Sequence, residues 1–176
     1  MKRLFMVGLL VALIVPSVSF AKDLKVAYVD LQKALNECMA GKEAKETLEK
    51  EKAQKQKEIE KKEKQIDALK AEIEAKKAVL SQEALQKKQD DLDRLLRELK
   101  RFVQDANDEL QKKQQQYTNK ILSELVSVVN EIGKQRGYTI IFERVPGVLL
   151  YVDESLDITD EVIKLYDQKY QKEKEK

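Results

Sequence analysis

The 176-residue sequence contains no histidine and no tryptophan, one cysteine, two prolines and five glycines. The missing histidines exclude His-based acid–base catalysis, Ser-His-Asp triads and imidazole metal sites. A single cysteine excludes intrachain disulfide frameworks and Cys-cluster zinc sites. Aromatic residues make up 6% and charged residues 38% of the chain, which is too polar for an ordinary compact globule of this length. Gly41-Lys42 hints at a phosphate-binding loop, but that pattern needs Gly where Asn36 stands and Ser or Thr where Glu43 stands. An enzyme is not expected, and neither is a cofactor or a metal.

The first residues read as a secretory signal. Lys2 and Arg3 precede an apolar run from Leu4 to Val15, Pro16 breaks the run, and Ser19-Phe20-Ala21 places small residues at −3 and −1 of a cleavage site. As helix, the run spans only about 18 Å, short of a ~30 Å hydrocarbon core. Cleavage after Ala21 is expected, with export of the remainder. Without Lys2 and Arg3, the 34 basic side chains fall to 32, equal to the 32 acidic ones. A zero net charge argues against a nucleic-acid partner. Cys38 follows Leu31, Ala34 and Leu35 at helical spacing and is expected to be a buried thiol, the alternative after export being an intermolecular disulfide.

The exported chain divides into three parts of unlike composition. Leu24 to Asp30 is a short β-rich run, and Asp30 is placed to cap a following helix with Leu31, Ala34, Leu35 and Cys38 on its apolar face. Between Gly41 and Gly133 lie 91 residues without Gly or Pro, rich in Lys, Glu, Gln, Ala and Leu, all good helix formers. Their apolar residues form a narrow seam. Ile59, Ile66, Ile73 and Leu80 repeat every seven residues, as do Leu85, Leu92, Leu99 and Ala106, and the step from Leu80 to Leu85 breaks the phase. The spacing predicts an antiparallel helical hairpin over 42–121 that turns near 80–84. From Lys50 to Gln65 only Ala53 and Ile59 are apolar, so the ascending helix should be loosely held.

The last part returns to compact patterning. A wide apolar helix face runs from Ile121 to Ile132, with Gly133 and Gly137 read as its end. Tyr138 to Phe142 and Val148 to Val152 read as two strands of a hairpin around a Pro146-Gly147 turn, and Thr159 as the cap of a final helix. Short strands apolar on both faces cannot bury themselves in one chain. Val26, Tyr28, Ile140, Phe142 and Leu150 are therefore the expected oligomer core. The fold class is α+β: a small β-rich body from 22–41 and 122–176 carrying one long coiled-coil arm per chain.

Val26-Ala27-Tyr28-Val29-Asp30 opening a helix, Gly41-Lys42, a charged hairpin, Gly137-Tyr138 before a strand, and Asp157-Ile158-Thr159-Asp160-Glu161-Val162 occur here in that order. Together they resemble the Skp/OmpH family over essentially the whole exported chain. The resemblance implies a jellyfish-like homotrimer in the periplasm. Its arms would enclose unfolded outer-membrane β-barrel proteins and prevent their aggregation without nucleotide. It also raises contact with a membrane surface or lipopolysaccharide. The best-known members are clearly basic, whereas this exported chain is neutral, so short-range and apolar contacts should dominate client capture. The positive stretch Lys61, Lys62, Lys64, Lys76 and Lys77 is the expected client-binding arm. The runner-up reading is a structural coiled-coil adaptor of an envelope complex.

Overall fold

The computed structural model describes residues 24–175. The signal-peptide reading of residues 1–21 lies outside them. The elements run β1 (Val26–Val29), α1 (Leu31–Glu37), α2 (Met39–Lys76), α3 (Gln82–Arg136), β2 (Ile140–Glu143) and α4 (Thr159–Lys174), with a 3-10 turn at Glu154–Leu156. Long helices with a two-stranded sheet make this an α+β coiled-coil fold.

Asp30 ends β1 and caps α1, its carboxylate accepting from the Lys33 N–H at 2.7 Å. A corner at Cys38 separates α1 from α2. The Cys38 backbone is extended there, and its buried sulfur accepts from the Gly41 N–H at 3.4 Å. A Cβ on Gly41 would stand 1.8 Å from the Leu35 carbonyl oxygen, so the corner requires glycine. Burial pushes the Cys38 thiol up from its ordinary pKa, which keeps it protonated and unreactive.

α2 and α3 form the antiparallel arm. At 1.5 Å per residue, the 38 residues of α2 extend about 57 Å. The chain reverses over 77–81, somewhat before the expected 80–84. Ser81 caps α3, its hydroxyl accepting from the Ala84 N–H at 3.2 Å. α3 continues without interruption from the arm into the body, where Ile121, Leu125, Val128 and Ile132 are buried. The same helix thus changes from a one-stripe coiled coil to a broad-faced core helix. Gly133 does not end it. The helix runs on to Arg136, and Gly137 closes it in the left-handed region at φ 70°. Gly133 instead lets β2 approach: a Cβ there would lie 3.3 Å from Ile141 Cδ1.

The expected β-hairpin is overturned. β2 pairs with β1, in parallel, in the register Val26–Ile140 to Val29–Glu143. The Val145–Val148 turn forms as expected, with Gly147 at φ 83° and the Val148 N–H donating to the Val145 carbonyl at 3.1 Å. The following chain must then reach the opposite edge of β1, where Asp157 bridges Tyr28 and the Ile158 N–H donates to the Tyr28 carbonyl at 3.0 Å. Val148 to Val152 therefore leaves the sheet and forms no strand.

Thr159 is likewise not a cap. It is the first residue of α4, and the Asp157 carboxylate accepts its N–H at 2.8 Å. Its fully buried hydroxyl accepts from the Asp30 N–H at 2.9 Å, tying α4 to the start of α1. α4 then crosses the root of the arm. The Asp167 carboxylate accepts from the Met39 N–H at 2.8 Å, and Tyr166 donates to Glu124 at 2.6 Å. Val162 and Tyr166 complete the core around Leu125 and Cys38.

Candidate functional site

Two surfaces stand out among the described residues: the arm and the apolar edge of the body. Among the described residues no cluster of metal-ligating side chains occurs, and no helix is long and apolar enough to cross a membrane.

The arm's seam is more ionic than its heptads imply. On α2, buried or half-buried positions step through Ala44, Leu48, Glu51, Lys55, Ile59, Lys62, Ile66, Leu69 and Ile73 at spacings of three or four residues. Glu51, Lys55 and Lys62 thus occupy places where a coiled coil wants apolar side chains. Their partners come from α3. Lys113 Nζ lies 2.8 Å from Glu51 and 3.1 Å from Glu109, and Lys55 Nζ lies 3.0 Å from Glu109. Lys55 and Lys62 also approach the Phe102 ring, at 5.7 and 5.4 Å from its centroid. Hydrogen bonds from Lys55 and Lys113 hold the Glu109 carboxyl below its usual range, and Glu51 and Glu109 raise Lys113. Nearer the tip, Lys88 meets Glu72 at 3.0 Å. Among the described residues, Ile66 and Ala106 are the only buried ones along the arm beyond its root.

The five lysines expected to bind clients do not form one patch. Lys61 and Lys64 are exposed, whereas Lys62 is half-buried against Phe102. Lys76 pairs with Glu72 at 2.9 Å, and Lys77 pairs with Glu74. Lys76 and Lys77 flank the tip, where Val79 is 81% exposed.

The residues expected in an oligomer core divide. Tyr28 departs from the expectation, because its own chain buries it, with Arg144 over its ring at 6.0 Å. Val26 is half-buried. Ile140 and Phe142 on β2 are 41% and 46% exposed, and Leu150 is 89% exposed. Val126, Val148 and Tyr151 are exposed as well. The sequence places Val126 on the apolar face of the Ile121–Ile132 helix and Tyr151 in a strand, and both are exposed on the single chain. β2 uses one edge for β1, and among the described residues nothing pairs with the other.

Residues 25–166 match the family described as "Outer membrane protein (OmpH-like)". The chain belongs to the OmpH-like family. A solved structure with the same fold is a candidate outer membrane chaperone (OmpH-like) from Caulobacter crescentus CB15. It superposes with a TM-score of 0.77 at 19% identity, covering 82% of this chain and 84% of that one. No curated protein matches the chain significantly. In this OmpH-like chain a small parallel sheet is joined to a long charged hairpin, and its two strands lie on either side of the hairpin in sequence.

Proposed function

We propose that this protein is an ATP-independent periplasmic holdase for unfolded outer-membrane β-barrel proteins, without enzymatic activity. In this reading it works as a homotrimer exported by the cleaved signal at residues 1–21. The β2 edge and the exposed side chains of Ile140, Phe142 and Leu150 join three bodies, and three arms surround the client. The observation that carries the reading is an arm about 57 Å long whose seam is interrupted by charged residues. A rigid adaptor would gain from a continuous apolar seam. A holdase gains from walls that deform around clients of different size.

Binding the unfolded state shifts it away from aggregation by mass action, and no fuel is needed. Many weak contacts serve this better than one tight pocket. The stems of Lys61, Lys64, Lys76 and Lys77 offer methylenes beneath charged heads, and Lys62 supports the wall from the seam. With equal numbers of acidic and basic residues after export, long-range attraction adds little.

The test is aggregation of a urea-diluted β-barrel protein, followed by light scattering, with the exported chain and no ATP. Suppression is the expected result. A variant in which a short turn replaces residues 48–117 should lose it. An armless body that protects barrels as well as the full chain would overturn the reading.

A further inference from the structure

The two helices of the arm join the body differently. α3 runs into the core without a break, whereas α2 leaves the body at a corner where Cys38 is the single extended residue between two helices. Among the described residues from Met39 to Lys52, only Ala40 is buried. A groove of about 460 Å³ lies beside this stretch, lined by Ala44 and Leu48 on α2 and by Leu110, Tyr117 and Ile121 on α3. Close apolar packing on α3 therefore does not fix the first turns of α2.

The hold comes from α4. Asp167, Tyr170, Gln171 and Lys174 share one face of α4 at helical spacing, and all four reach Met39 or Glu43, one turn apart on α2. The Asp167 carboxylate accepts from the Met39 N–H at 2.8 Å, a donor that the first turn of a helix leaves without an internal partner. Lys174 Nζ lies 2.8 and 2.7 Å from the two Glu43 carboxylate oxygens. Tyr170 donates to Glu43 at 2.9 Å, and the Gln171 amide donates to Met39 Sδ at 3.2 Å. Other contacts fasten α4 itself to α3: Tyr166 to Glu124 at 2.6 Å, Arg136 to Glu161 at 2.7 Å, and Lys169 to Glu131. α4 is thus anchored on the body portion of α3 and reaches across to α2 with its last two turns.

We propose that these last two turns form a releasable latch on the root of the arm. In the closed state Lys174 and Tyr170 hold Glu43, as described. In the open state those contacts separate and α2 pivots at the Cys38 corner, while the contacts between α4 and α3 stay in place. The pivot lies where hinges belong, at an element terminus between two rigid helices. Glu43 and Lys174 are both half-exposed, so water and ions compete for their contact and the two states lie close in free energy. A tilt of about 5° at the base of α2 displaces the far end of this ~57 Å helix by roughly 5 Å. The latch belongs to the single chain and stands apart from the holdase reading.

Cys38 is the built-in reporter, because its buried sulfur sits at the pivot. The experiment follows its reaction with dithiodipyridine, an uncharged thiol reagent, in the full exported chain without denaturant, beside the urea midpoint from circular dichroism. Glu43→Ala removes the acceptor of both latch residues and should speed the reaction about tenfold with little change in midpoint. Tyr170→Phe/Lys174→Gln should do the same from the other side. Raising salt from about 0.05 to 0.5 M shortens the Debye length from roughly 14 to 4 Å. It should speed the unmodified chain about threefold more than the Glu43→Ala variant. Lys33→Gln removes the ion pair with Asp160 at the opposite end of α4 and should leave the rate as it is. No acceleration in Glu43→Ala, equal acceleration in Lys33→Gln, or a rate that follows the urea midpoint in every variant would each overturn the proposal. Cys38 would then be reached by unfolding of the whole body and not by release of the latch.

Discussion

Lys113 on α3 reaches Glu51 on α2 at 2.8 Å, across a seam position that a coiled coil ordinarily fills with leucine. The contact joins residues 62 apart in sequence and sets the register of the two helices. A charged pair in a half-solvated seam specifies alignment more than it stabilises.

Replacing both partners by leucine, Glu51→Leu/Lys113→Leu, should therefore stiffen the arm. Amide exchange of α2 between Leu48 and Lys62 should slow about tenfold, the scale of a gain of ~1.4 kcal/mol in local opening, with exchange in the body unchanged. Lys113→Ala alone should act oppositely, because it leaves Glu51 and Glu109 facing each other. If large β-barrels need a bending arm, the leucine variant should still protect small clients and fail with large ones.

The carboxylates that hold the arm and its root have lowered pKa values in the folded chain. Lys55 and Lys113 lower Glu109, Lys76 and Lys88 lower Glu72, and Lys174 and Tyr170 lower Glu43. A lowered folded value means that their contribution is complete above the ordinary carboxyl value of 4.5 and is lost as pH falls through the folded values. Thermal midpoints should be level between about pH 7 and 5 and decline only below 4.5. A midpoint falling already between pH 7 and 6 would contradict this.

Phe142 lies on β2 with its side chain half in solvent. Phe142→Asp should leave the single chain folded, because the ring contributes little to the chain's own core. It should dissociate an assembly that uses this edge, since an unpaired buried charge costs several kcal/mol. Light scattering should show the change of mass while circular dichroism stays constant. A stable monomer in the unmodified protein would remove the trimer from the proposed function.

Gly41→Ala tests the corner between α1 and α2. The added Cβ meets a backbone oxygen, which cannot swing away as a side chain would. A loss of about 1–3 kcal/mol is expected from the forced backbone shift, read as a lower urea midpoint. Leu125→Ala should cost about 3–5 kcal/mol through the cavity it leaves, because Leu125 is fully buried at the centre of the core.

The hairpin arm was legible because helix propensity, a seven-residue repeat and the lack of Gly and Pro all act locally. The Ser81 and Asp30 caps were legible for the same reason, as each bonds a backbone group three residues away. The Val148–Val152 hairpin was misread because β-propensity reports a half-buried surface without naming the partner strand. Thr159 was misread because its hydroxyl serves Asp30, 129 residues earlier. The lysine stretch was read as one surface, yet helical geometry sends Lys62 into the seam beside Phe102 while Lys61 stays in solvent.

Composition and periodicity were thus enough for the chain's class, for an arm of two antiparallel helices and for the absence of a histidine-based site, since each depends on residue type and near-neighbour spacing. Three features needed the folded chain. The parallel β1–β2 pairing joins residues from either side of the arm. The Lys55–Glu109–Lys113–Glu51 layer needs the two helices in one register. The groove lined by Leu48 and Tyr117 draws its walls from both helices of the arm. Each is set by which distant residues meet, and a linear pattern of propensities carries no information about that meeting until packing has selected it.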